Sequence, residues 1–183
     1  MSVTAAGGFR AAGVVAGLKA SGGRDVALVV NDGPSDAAAA VFTRNRVQAA
    51  PVIWSRQAVA DGRLRVVALN SGGANACTGS AGFADTHATA EHVAAVLDIG
   101  AGDVAVCSTG LIGERLPMDA LLAGVTRAAA ALDKAGVRMP RTPFALRTRW
   151  LSRRCMCTPT GGRSAAWRKA RACSRRVSPR CCV

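Results

Sequence analysis

Short apolar runs, separated by glycine-rich or polar stretches, set the pattern of this chain. Val26–Asn31 (VALVVN) is β-branched and closes on Asp32-Gly33-Pro34, so it predicts a strand ending in a turn. Ala39–Thr43 (AAVFT) and Pro51–Trp54 (PVIW) predict two further short strands, and Ser55–Asp61 a helical turn closing at Gly62. Leu64–Leu69 (LRVVAL) predicts a strand that enters the glycine-rich loop Asn70–Gly79. Ala81–Leu97 carries Val93, Val96 and Leu97 as an apolar stripe and predicts a helix. Val104–Cys107 predicts a strand running into Ser108-Thr109-Gly110. Pro117 suits the first turn of a helix through about Lys134, with Leu121, Leu122, Val125 and Leu132 on one side. Strands that mix with helices in this way predict an α/β or α+β class.

The pattern fails after Gly136. Trp150–Cys157 and Ser164–Arg176 sustain neither a period of two nor one of 3.6. Charge breaks at the same place. Residues 1–137 hold 11 Lys/Arg and 11 Asp/Glu, whereas Arg138–Val183 holds 13 Lys/Arg and no acid, so the net charge of +13 belongs to the last 46 of 183 residues. Five of the seven cysteines (Cys155, Cys157, Cys173, Cys181 and Cys182) sit there too. The chain therefore divides into a balanced portion, 1–136, and a basic Arg/Cys-rich tail, 137–183, expected to be disordered.

A sequence pI of about 11.1 would ordinarily point to nucleic acid or an anionic surface, but here one segment supplies the charge. Cys77 and Cys107 alone form no disulfide framework in the balanced portion, which fits a reducing compartment. Ala11–Leu18 follows Arg10 but is short, contains glycine and is soon followed by Lys19. We read it as mature structure rather than a signal peptide. No apolar run approaches the roughly 20 residues of a membrane span, so the expectation is a cytoplasmic protein without membrane contact.

Two loops could carry chemistry. In Asn70–Gly79 (NSGGANACTG), Gly72, Gly73 and Gly79 permit tight turns, and Asn70, Ser71, Asn75 and Thr78 offer hydrogen-bonding groups. The residues alone leave it open between a small-molecule site at a helix N-terminus and an ordinary connection. In Ser108–Pro117 (STGLIGERLP), Thr109 and Gly110 could aim a hydroxyl and a backbone N–H at one developing oxyanion, or simply form a turn. His87 and His92 lack the i, i+4 spacing of a helical zinc pair, and the tail cysteines lack paired C-x-x-C halves, so no metal is expected.

Four segments together resemble the ornithine acetyltransferase family, also called glutamate N-acetyltransferase. They are Gly8–Lys19 (GFRAAGVVAGLK), Phe42–Val52 (FTRNRVQAAPV), Asn70–Gly79 and Cys107–Pro117 (CSTGLIGERLP), and the resemblance covers residues 8 to about 136. It implies a layered sheet-and-helix fold and a role in arginine biosynthesis. The reaction would move acetyl from N-acetylornithine to glutamate, with acetyl-CoA as donor in some members and no other cofactor. It also implies self-cleavage that creates an N-terminal Thr nucleophile, and an assembly of two α and two β chains. The family's S-T-G oxyanion loop maps onto Thr109 and Gly110. Asn70, Ser71, Gly72, Gly73 and Asn75 form a candidate active-site loop.

The nucleophile belongs to a later M-A-K-G-A-G-M-L-A-P-x-L-A-T-M-L segment that is not visible here. Reading the tail in another frame recovers it. Joining the last base of each codon to the first two of the next, with codon choice free at that base and among the Ser, Leu and Arg sets, turns Trp167–Cys182 into M-A-K-G-A-G-M-L-A-P-G-L-A-T-M-L. Arg180 then occupies the catalytic Thr slot. Upstream, Leu146, Arg147 and Thr148 recover T-T-D, which the resemblance assigns to substrate contact. Only 8 of the 46 tail residues need A or T at the second codon position, the wobble bias of a GC-rich gene read one base out. The expectation is an out-of-frame tail from about Val137, an inactive chain, exposed sheet edges and poor solubility. The competing reading is a small basic nucleic-acid-binding protein using the tail. Without aromatic interleaving or a known binding motif, the tail should bind polyanions only through charge.

Overall fold

The computed structural model describes residue 4 and residues 7–133; the expectations for the tail, Arg180 included, lie outside the described residues. Its elements are β1 (Phe9–Val14), β2 (Val26–Asn31), α1 (Ala50–Ala58), β3 (Val66–Gly73), α2 (Gly79–Leu97), β4 (Val104–Leu111) and α3 (Met118–Ala130). The four strands form one sheet in the order β1-β2-β3-β4. β1 with β2 and β2 with β3 are antiparallel, and β3 with β4 is parallel. The parallel pair needs a crossover, and α2 supplies it. The expected α/β class is the observed one.

Strand alternation splits the sheet into two faces. Val26, Leu28 and Val30 of β2, Val66 and Ala68 of β3, and Val104 and Val106 of β4 all bury on one face. Against them pack Ala90, Val93 and Ala94 of α2 and Leu121, Val125 and Ala128 of α3. The opposite face carries a smaller cluster, Ala27 and Leu69 with Val29, Val67 and Cys107 around them.

Residue choice explains most elements. β2 is a β-branched run, and five of its six residues are buried. α2 is long and rich in alanine, a strong helix former. α3 begins after Pro117, as expected of a proline at a helix start.

Four expectations need correction. Pro51–Trp54 is not a strand but lies in α1, where Pro51 occupies the first turn and lacks only an N–H that no helix would use. Ala39–Thr43 forms no strand; it is largely exposed and pairs with nothing beyond the isolated bridge of Ala37 to Arg63 just before it. β1 occupies part of the Ala11–Leu18 run that gave no strand signal, because its Ala and Gly residues are poor strand formers. Finally, both candidate loops begin as strand: β3 runs on to Gly73 and β4 to Leu111.

The outer edge of β4 is also not bare. Ser55 Oγ donates to Val106 O at 2.8 Å and accepts from Val106 N at 2.9 Å, while Trp54 Nε1 donates to Val104 O at 2.9 Å. Two side chains of α1 thus occupy the Val104 and Val106 part of an edge that a further strand would otherwise pair.

Candidate active site

The segments NSGG and STGL lie side by side at the end of the parallel ladder. Asn70 is in register with Ser108, Ser71 with Thr109, Gly72 with Gly110 and Gly73 with Leu111. Stretches 38 residues apart in sequence thereby form one surface. Ser108 Oγ donates to Asn70 Oδ1 at 2.5 Å, and Asn70 Nδ2 reaches Gly73 O at 3.3 Å. Both side chains sit on the helix-covered side, because the rung two residues earlier, Ala68 with Val106, belongs to that core.

Glycine is required at the Gly72–Gly110 rung. Gly72 has φ +128 and Gly110 φ +142, conformations essentially confined to glycine. A Cβ on Gly72 would lie 2.5 Å from Leu18 O, and one on Gly110 would lie 2.5 Å from Gly72 O.

The edge bonds to α1 define how β4 presents its backbone. Val104 and Val106 direct their polar groups outward, toward α1. Strand alternation therefore turns Ser108 and Gly110 to the same outer edge, beyond the reach of Ser55. Gly110 is exposed and Thr109 half-buried. Half-buried Thr109 thus neighbours exposed Gly110 at the end of the parallel ladder.

The loops after the two strands hold this end fixed. Ala74 N donates to Leu111 O at 2.8 Å and Gly113 N to Ala76 O at 2.9 Å. Arg115 makes a two-pronged ion pair with the buried Asp85 of α2, at 2.6 and 3.0 Å. The bond to Asp85, with its charge, raises the Arg115 guanidinium further above its ordinary value. Leu116 is buried against Gly73.

Of the candidate loop residues, Asn70, Ser71, Gly72 and Gly73 come together with Thr109 and Gly110. Asn75 stands apart in a structural knot. It is buried at φ +48, its Nδ2 donates to Gly82 O at 2.7 Å and Thr86 Oγ1 at 2.9 Å, and its Oδ1 accepts from Thr78 at 2.7 Å. His87 packs edge-on against Trp54, and His92 bonds Thr126 Oγ1 at 2.9 Å.

Sequence reasoning missed Asp25. Its carboxylate is fully buried and accepts from the N–H of Ala16, Leu18 and Lys19, which fixes the loop whose Leu18 carbonyl backs Gly72. A single Asp ahead of an apolar run gave no signal of this.

The sequence profile of the ArgJ family matches residues 10–158, a match that continues past the charge break near Val137. The arginine biosynthesis bifunctional protein ArgJ of Thermobifida fusca is 68% identical over 136 residues, covering 74% of this chain and 36% of that protein. ArgJ of Mycobacterium tuberculosis is 71% identical over 128 residues, covering 67% of this chain and 32% of that protein. The chain spans about a third of the length of these curated relatives. Among solved structures, ornithine acetyltransferase from Mycobacterium tuberculosis, complexed with ornithine, superposes with a TM-score of 0.72 at 66% identity, covering 73% of this chain and 72% of that one. ArgJ from Bacillus halodurans gives 0.67 at 39% identity, covering 74% and 71%.

Proposed function

The chain belongs to the ArgJ family, and from that premise we propose that it derives from an acetyltransferase of arginine biosynthesis that moves acetyl from N-acetylornithine to glutamate. Acetyl-CoA is a second candidate donor, and no other cofactor takes part. Thr109 and Gly110 form the oxyanion hole: the Thr109 hydroxyl and the Gly110 N–H both donate to the acyl oxygen as it gains charge. The observation that carries this reading is the β3–β4 ladder, which sets Thr109 beside Ser71 and leaves Gly110 facing an open edge.

The nucleophile of the complete protein is a threonine freed by self-cleavage, whose own amine takes its proton. In the present chain Arg180 fills that slot in an out-of-frame tail. A guanidinium stays protonated and offers no hydroxyl, so the chain neither cleaves itself nor transfers acetyl. In the complete protein the two cleavage products assemble as two α and two β chains. The tail's unopposed positive charge attracts polyanions without sequence preference.

The test compares two gene products, the chain as it stands and the same gene with the frame restored near codon 137. The restored protein should split before its threonine and form N-acetylglutamate from N-acetylornithine and glutamate. The present chain should remain one uncut species by mass spectrometry and form none. A restored protein that makes no N-acetylglutamate with either donor refutes the activity. A cleavage product of the present chain ending at Pro179 refutes the out-of-frame tail.

A further inference from the structure

The side chain of Asn70 is buried and bonds to both strands of the parallel pair. Its Oδ1 accepts from Ser108 Oγ of β4 at 2.5 Å, and its Nδ2 donates to Gly73 O of β3 at 3.3 Å. Chemistry fixes the orientation of that amide. A backbone carbonyl only accepts, so the NH2 group faces Gly73 O, the amide oxygen faces Ser108, and the Ser108 hydroxyl donates.

The bond to Gly73 needs a bend in β3. Three residues of straight strand span about 10 Å, beyond the reach of an asparagine side chain. Gly72 lies between the two and, at φ +128, turns the chain. The same glycine pairs with Gly110, and the fit is close: a Cβ on Gly110 would stand 2.4 Å from Gly72 C and 2.7 Å from Gly73 N. Gly110 therefore rests on the Gly72–Gly73 peptide and has no side chain of its own to hold it there. Asn70 grips the chain on both sides of this contact, at Gly73 O on one strand and at Ser108 on the other, with Thr109 between Ser108 and Gly110.

We propose that Asn70 is a positioning residue for the oxyanion pair: its carboxamide ties Ser108 to Gly73 and so holds Thr109 and Gly110 in place against β3 while the acyl oxygen gains charge. This rests on the oxyanion reading of Thr109 and Gly110 given above. Donors to a developing oxyanion act fully only when already in place, because moving them during the reaction takes back part of the stabilisation. A misplacement of about 1 Å can lower a rate about 100-fold. Asn70 and Ser108 sit on the helix-covered face, make and break no covalent bond and act only through the backbone they hold.

The test uses the frame-restored full-length protein, unmodified and as Ser108→Ala, Asn70→Ala, Asn70→Asp, Asn75→Ala, Thr109→Ala and the Asn70→Ala/Ser108→Ala double variant. kcat and KM are measured for acetyl transfer from N-acetylornithine to glutamate, with the urea midpoint of each form. Ser108→Ala removes one tie and should lower kcat about fivefold to tenfold, the worth of one neutral hydrogen bond. Asn70→Ala removes both and should lower it about 30- to 100-fold. The double variant should be no slower than Asn70→Ala, because Ser108 acts through Asn70. Asn70→Asp still accepts from Ser108 but sets an oxygen against Gly73 O, so it should be slowed at least as much as Ser108→Ala. KM should stay within about twofold throughout. Asn75→Ala deletes a buried asparagine of the same loop with its bonds to Gly82, Thr86 and Thr78. It should lower the urea midpoint at least as far as Ser108→Ala, yet leave kcat within about twofold. A normal kcat in Ser108→Ala or in Asn70→Asp overturns the proposal, as does a loss confined to KM. So does a double variant slowed by the product of its two single effects. Asn75→Ala slowed as much as Asn70→Ala overturns it too, because Asn70 would then act only through stability. If Asn70→Ala does not fold, Ser108→Ala and Asn70→Asp decide by the same criteria. Thr109→Ala should lower kcat about 100- to 1,000-fold. If it does so while Ser108→Ala or Asn70→Asp is normal, the oxyanion reading stands and the positioning role falls. If Thr109→Ala is near normal, or the restored protein transfers no acetyl, both fall.

Discussion

Gly110→Ala separates two costs that the Gly72–Gly110 rung combines. The first is conformational. At φ +142 an alanine occupies a region that side chains avoid, at roughly 1–3 kcal/mol. The second is steric. The new Cβ would stand 2.5 Å from Gly72 O, where ordinary contact begins near 3.4 Å. The obstacle is backbone, which cannot rotate aside, so β4 must move away from β3 and lengthen the ladder bonds beside it. One or two such bonds at about 1 kcal/mol each bring the expected loss to about 2–5 kcal/mol. Gly113→Ala isolates the first cost, because Gly113 has φ +88 and open space around its Cβ direction; it should lose only about 1–2 kcal/mol. The assay is urea unfolding followed by the fluorescence of Trp54, which bonds the first residue of β4, with Trp150 and Trp167 replaced by Phe. If the two variants lose stability within about 1 kcal/mol of each other, the close approach of Gly110 to Gly72 does not control the ladder, and the reasoning fails.

Three further outcomes are expected. Asp25→Asn sets an amide where three N–H groups need acceptors and should lose about 2–4 kcal/mol in urea unfolding; a change below about 1 kcal/mol would show that the Ala16–Lys19 loop holds without the charge. Asn75→Ala removes the bonds to Gly82, Thr86 and Thr78 and should lose about 2–4 kcal/mol, with faster amide exchange concentrated in the first turns of α2; uniform exchange along the helix would contradict this. The bond from exposed Arg63, together with its charge, holds the Asp36 carboxyl below its ordinary value. Its contribution is therefore complete above the unfolded value of about 3.9 and lost as pH falls through the lower folded value. Protection of the Leu64 and Ala38 amides, which bond across this corner, should fall in strong acid, and in Asp36→Asn should be reduced already at neutral pH; protection that ignores pH would refute the linkage.

How legible each part was depended on how local its cause is. β2 and α2 announced themselves through β-branched and alanine-rich runs that their own burial explains. α1 did not, because PVIW is strand-like in composition and only the position of Pro51 in a first turn distinguishes it. The extension of β3 and β4 into their glycine-rich ends was hidden for another reason. Gly72 and Gly110 look like loop residues in isolation, yet they are glycines because two strands approach there. Thr109 and Gly110 were picked out by the order of residues around them. Their alignment with Ser71 and Gly72 depends on a parallel pairing that no local pattern encodes. Asp25 and Ser55 were silent, since each works on backbone groups far from it in composition and, for Ser55, 51 residues away in sequence.

The strand order carries a consequence for synthesis. Because the sheet runs β1-β2-β3-β4, its spatial order is its chain order. On a ribosome each new strand meets an edge that its predecessors have already built, and none must insert between two paired strands. The rungs bearing Thr109 and Gly110 form near the end of the last of the four strands, and α3, next to emerge, packs on the helix-covered face of the sheet. A change of reading frame near codon 137 would therefore reach a sheet whose four described strands were already paired, just after Asp133 has bridged to Ala11 at the outer edge of β1.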